Sequence, residues 1–240
     1  MKYVTGLATI LTAAFALFAG NASAHHIWLE PEGKGIQVCF GEFGENLRET
    51  SPGLLDRLQL QAKTVSAAGE RTLTLNKTAK GFVGAGEPKA GDSIVAEDSR
   101  YPISVRTRDG VTTRSLWWPA ARFVTDRAPQ KPLLALDVVP AGGNKFQVFF
   151  KGQPLAKAKV EIVAAFGWSK SEYTDESGNF EITLPWRGAY AFEIRHTDKT
   201  PGKRGEEAYD TASYVTTLTL VQASGAEMPP LPTPVTGKSN

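Results

Sequence analysis

From about residue 25 onward, apolar and polar residues alternate in short runs, and the 3.6-residue spacing of an amphipathic helix is nearly absent. The alternation predicts strands over 36–40, 58–61, 72–75, 93–96, 103–106, 133–139, 146–150, 159–163, 180–184, 190–194 and 214–221, separated by Gly, Pro, Asn and Asp turns. Such a pattern predicts an all-β protein built from two β-sandwich domains. Only Ser51 to Leu58 looks helical: Ser51 can cap, Pro52 suits the first helical position, and Leu54, Leu55 and Leu58 share a face. Ala128-Pro129-Gln130-Lys131-Pro132 reads as the link between domains spanning 25–128 and 132–222. The proline-rich stretch 228–240 reads as a solvated, flexible tail.

The first 24 residues follow a different pattern. Lys2 precedes an apolar run from Val4 to Ala19, and Ala22-Ser23-Ala24 forms a small-residue cleavage site. This predicts an exported, periplasmic protein whose mature chain begins at His25. The 27 basic and 25 acidic residues nearly balance, which removes a nucleic-acid face from consideration. The single cysteine, Cys39, excludes an internal disulfide and a Cys-rich metal site, and its place between Val38 and Phe40 predicts a buried thiol.

Three histidines remain, and their positions carry the candidate chemistry: His25, His26 and His196. A mature N-terminal His25 would offer both an amine and an imidazole. Freeing that amine of its proton at pH 7 costs about 1 kcal/mol, against about 4.6 for a lysine. One more imidazole would complete a three-nitrogen set suited to Cu(II) or Ni(II). His196 is the expected donor, because it lies in a polar stretch of the kind that carries sites. Asp198 and Glu207 there add oxygen ligands or acceptors that orient a ring, as does Asp210. In an extended segment His25 and His26 point to opposite faces, which favours His25 over His26. Cleavage one residue earlier would instead give Ala24-His25-His26, a square-planar set of amine, two amides and the His26 ring. Trp117-Trp118 and the stretch 168–173 are expected to pack rather than to bind. No Gly-x-Ser-x-Gly, His-Glu-x-x-His or phosphate-binding loop is present, so an enzyme is not expected.

Two resemblances extend this reading. Gly152-Gln-Pro154-Leu155, Thr174-Asp175-Glu-Ser-Gly178-Asn-Phe180 and Gly188-Ala-Tyr190-Ala-Phe192 resemble transthyretin-like, carboxypeptidase-regulatory-like sandwiches. In these Asp-x-x-Gly makes a tight turn: Asp175 accepts backbone hydrogen bonds and Gly178 takes a positive φ. More broadly, His25-His26-Ile-Trp28, Phe40-Gly-Glu42 with Leu47-Arg-Glu49, and His196-Thr-Asp198 with Tyr209-Asp210 resemble a bacterial periplasmic family. It is a domain-of-unknown-function family formerly labelled as nickel/cobalt uptake components. That resemblance implies an exported β-rich protein handling Ni, Co or Cu, with a membrane metal transporter as partner. Two other roles remain open: an envelope adaptor binding through sheet edges, and a copper monooxygenase built on the N-terminal histidine.

Overall fold

The computed structural model describes residues 25–86 and 88–237. The predicted leader, 1–24, lies outside the described residues. Among the described residues the chain is all-β, with many short strands and one 3₁₀ turn. Three sheets stack in layers. The middle one has ten strands; along its main path run Ser169–Tyr173, Lys159–Ala164, Trp186–Asp198, Thr211–Gln222, Val111–Val124, Ser93–Glu97, Gln61–Ser66 and Gly69–Leu73. A six-stranded sheet containing His26–Glu32 and Gly35–Glu42 covers one face of it. A four-stranded sheet containing Leu136–Gly142 and Lys145–Phe150 covers the other.

Period-two alternation assigns side chains to these layers. On Thr211–Gln222, the Thr217 and Thr219 hydroxyls donate to the carbonyls of Ile27 (2.8 Å) and Leu29 (2.5 Å) in the six-stranded sheet. Thr216 points the other way and donates to Leu136 O at 2.7 Å. The first core places Ile27, Leu29, Val38 and Phe40 against Ile94, Ala121 and Phe123. The second places Leu136, Val138, Phe146 and Val148 against Ile162, Phe192, Ile194 and Leu218.

The predicted halves 25–128 and 132–222 therefore share one sheet. Val111–Val124 from the first half runs parallel to Thr211–Gln222 from the second, from Ser115↔Thr211 to Phe123↔Thr219. The expected helix over 51–58 reduces to the 3₁₀ turn Leu54–Arg57, which buries Leu55. Gly53 at φ 152° precedes it and Leu58 is already extended, so the leucine spacing covers a single turn. The Asp175 turn forms as the sequence implies. Its carboxylate accepts from Ser177 N and Asn179 N, both at 2.8 Å. Gly178 sits at φ 76°, where a Cβ would meet Val148 O at 2.7 Å.

The proline-rich tail is a correction. Met228 packs against the second core, and Val235–Thr236 adds to the six-stranded sheet parallel to Leu47–Arg48. Prolines shorten the unfolded ensemble of such a segment, so a few backbone bonds suffice to dock it.

Candidate functional site

The strand His26–Glu32 is held on both sides. It pairs with Gly35–Glu42 from His26↔Gly41 to Glu32↔Gly35, and the threonine hydroxyls of the middle sheet take its carbonyls. Trp28 anchors it, fully buried among Cys39, Phe43, Val163 and Ala191. The His25-His26 segment is thus held against a rigid element.

His25 sits just before this strand, its ring edge-on to Phe40 at 5.3 Å. Its Nε2 lies 2.6 Å from Glu49 Oε1, and its Nδ1 lies 3.6 Å from Glu42 Oε1. A carboxylate only accepts, so the proton of that short bond sits on Nε2, and Nδ1 faces Glu42. His26 turns the other way, as strand geometry predicts. Its Nε2 lies 3.2 Å from Glu193 Oε1 and 3.4 Å from the Phe43 amide.

Between the two sheets opens a cleft of about 660 Å³. His26, Glu42, Glu45, Glu161, Glu193 and Arg195 line it. Glu161 and Glu193 are direct cross-strand neighbours. Burial pushes the Glu193 carboxyl up to about 7, with Glu161 and Glu42 adding to the rise and Arg195 opposing it. Burial, and then Glu45, likewise raises Glu42. Four carboxyls and one guanidinium line this cleft, so its side chains are acidic in balance.

Because the folded Glu193 keeps its proton to about pH 7 while an unfolded glutamate releases it near 4.5, the folded state binds more protons between these values. Stability should fall as pH rises through that window and be unaffected below it. Glu193→Gln should abolish this slope, removing a penalty of at most about 3 kcal/mol above pH 7. Chemical denaturation of both proteins at pH 4.5 and 8 measures it; parallel curves would refute the assignment.

The structure corrects the expected pairing of His25 with His196. His196 lies on Trp186–Asp198 three residues from Glu193, so the two side chains leave the strand on opposite faces, and pairing with Thr211–Gln222 is unbroken across both. Glu193 faces His26, whereas His196 packs on Phe150 at 4.3 Å beneath the four-stranded sheet. The middle sheet separates the two rings. Burial lowers the His196 pKa, with Lys151 acting the same way and Asp198 against it.

Asp198 and Glu207 are not brought to His25 either. Asp198 accepts from Lys151 Nζ at 2.7 Å, and that bond holds its carboxyl well below the usual range. Glu207 pairs with Arg204 at 2.9 Å. Asp210 accepts from the Arg114 amide at 2.6 Å. Trp117 and Trp118 pack on opposite faces of their strand, against Tyr101 and Tyr214.

Cys39 is buried as expected, but in a polar niche. Arg48 clamps Glu30 through Nη1 (2.6 Å) and Nη2 (3.1 Å), and the thiol lies 3.3 Å from Glu30 Oε1 and 2.9 Å from Arg48 Nη1. Burial and then Glu30 push the thiol well above its ordinary value, so it stays protonated and a poor ligand.

Among the described residues no group of three or more His, Cys, Asp or Glu side chains is arranged to hold a metal. The carboxylates Glu42, Glu49 and Glu193 are the partners that sequence reasoning missed. Glu42 and Glu49 did lie within the segments that carry the family resemblance.

Fold and site together define an all-β layered protein with an anchored His25-His26 segment beside an acid-rich cleft. Residues 135–198 match the model of a domain family of unknown function (DUF4198). No curated protein and no solved structure is detectably similar to the chain.

Proposed function

We propose that this is an exported, periplasmic protein that binds a divalent transition-metal ion, Ni, Co or Cu, through the amine and ring of a mature N-terminal His25, and hands it to a membrane transporter. The observation that carries the reading is the Glu49–His25 hydrogen bond. A metal-bound histidine commonly donates its other ring N–H to a carboxylate, which fixes tautomer and orientation. Here Glu49 takes Nε2–H, leaving Nδ1, the ring nitrogen that can close a chelate with the residue's own backbone nitrogen. Glu42 lies beside Nδ1 at 3.6 Å as an oxygen donor.

The donor set is then mixed nitrogen and oxygen. It lacks the His196 imidazole of the three-nitrogen set, and with it the second ring that a copper monooxygenase needs. Side chains alone do not complete it, which agrees with the absence of a ready side-chain cluster among the described residues. The amine arises only if export cleaves after Ala24. The acid-rich cleft next to His26 favours a cation approaching from that side. The former nickel/cobalt label of the resembling family agrees with this reading.

The test compares protein exported with its own leader against the same chain carrying three extra alanines before His25, so that no histidine falls within the first three residues. Calorimetric affinity for Cu(II) and Ni(II) should fall at least tenfold on extension, about 1.4 kcal/mol, and similarly in His25→Ala. His196→Ala should bind like the parent. Equal affinity with and without the extension would overturn the reading.

A further inference from the structure

The segment after Met228 does more than close a sheet edge. Asn46 Nδ2 donates to Pro232 O at 2.9 Å, Val235 N to Asn46 O at 3.1 Å, and Gly237 N to Arg48 O at 3.1 Å. Residues 232–237 thereby lie as a strap along Asn46 to Arg48. The next residue in that strand's direction is Glu49, and Gly237 stops directly against its carboxylate. A Cβ on Gly237 would overlap both carboxylate oxygens and the carbon between them. Gly237 has no positive φ to explain a glycine there, so space is the constraint.

Glu49 is 5 % exposed, although its neighbour Thr50 is only half-buried and the strap is exposed along most of its length. A carboxylate so buried needs fixed partners, and its ring partner is His25 at 2.6 Å. The backbone of the strand holds Glu49 from behind, through Glu49 N to Phe40 O at 2.8 Å. The strap closes the side that would otherwise be open to water.

We infer that the strap formed by residues 232–237 is a positioning element for the His25 site: by filling the space beside Glu49 it fixes the carboxylate that orients the His25 ring. The inference rests on the proposed metal reading for its purpose, but the geometry it asserts is independent of any metal. Gly237 touches no metal donor. It acts through Glu49, and a methyl at 237 must push that carboxylate off the line to Nε2.

Two readouts separate the inference from the metal reading. In metal-free protein, ¹⁵N-resolved NMR of the His25 ring should show a proton fixed on Nε2 and slow to exchange. Gly237→Ala, and separately a chain ending at Pro234, should lose that slow proton, while Thr236→Ala should keep it. With the native terminus, both altered proteins should bind Cu(II) at least fivefold more weakly, and the copper EPR signature should shift. Loss of the Nε2 proton signal without measurable copper binding in any form would sink the metal reading and leave the positioning role standing. A Gly237→Ala protein with the parent's Nε2 proton and affinity would overturn the strap's role. The truncated chain guards against a merely local steric effect of the alanine: if it alone keeps the parent's ring signal, the strap does not position Glu49.

Discussion

Asp137→Ala should lower the unfolding free energy by about 3–5 kcal/mol, because it strands a buried guanidinium without its counter-charge. Arg122 and Asp137 are both fully buried and form a bidentate pair, Nε to Oδ1 at 3.0 Å and Nη2 to Oδ2 at 2.6 Å. The remaining polar groups are satisfied as well. Arg122 Nη1 donates to Ser93 Oγ and Gln130 Oε1, and Asp137 Oδ2 accepts from the amides of Leu133 and Leu134. The pair joins the central strand Val111–Val124 to the start of the four-stranded sheet, across the linker that separates the two halves in sequence. Breaking it therefore loosens the shared sheet. Urea unfolding measures the loss, and a change below about 1 kcal/mol would contradict the assignment. A double replacement, Arg122→Met with Asp137→Leu, should be much milder than either single change, since it leaves no orphan charge.

That same arginine shows where the sequence was hard to read. Alternation located the strands near 36–40, 93–96, 146–150 and 159–163 because one face of each is apolar and the other is not. The longest strand, Val111–Val124, escaped because Arg122 occupies a core-facing position and Pro119 lies in its middle. Proline is normally excluded from central strands. Here its missing N–H falls on the edge where pairing with Ser104–Arg108 has ended at Ser115 and pairing with Ser93–Glu97 begins at Ala120. The tail was misread for the complementary reason: composition reports how a segment behaves alone, and the docking bonds come from Asn46 and Arg48.

For the site, the prominence of His25 was read from the predicted cleavage point and from the scarcity of histidine. The partner was not. Period two shows that Glu193 and His196 leave their strand on opposite faces, but only the packing of the layers shows which face meets the N-terminus. Glu49 is 24 residues from His25 and joins it only through pairing of Leu47–Arg48 with Gly35–Glu42, at Gly41↔Arg48.

Trp28→Ala should cost about 3–5 kcal/mol and should also loosen the His25-His26 segment, which couples stability to the proposed function at one residue. The indole fills the seam between the N-terminal strand and the middle sheet, edge-on to Phe43 at 5.9 Å, with Arg48 over its face at 5.2 Å. Its Nε1 donates to Glu30 Oε2 at 3.2 Å, so the ring also ties into the Arg48–Glu30 clamp. Truncation would leave a cavity bounded by two sheets, which cannot collapse without moving one of them. The six-stranded sheet is the smaller of the two, and its strand His26–Glu32 carries the His26 ring and is preceded directly by His25. Hydrogen exchange at the Ile27 and Leu29 amides should accelerate well beyond that in the second core around Phe192. Trp28→Phe, which keeps most of the volume, should show less than half the destabilisation and retain metal affinity. If Trp28→Ala lost stability while exchange at Ile27 and Leu29 stayed at parent rates, the N-terminal strand would be anchored by the Thr217 and Thr219 hydroxyls instead, and the double Thr→Val variant would then be the one to free it.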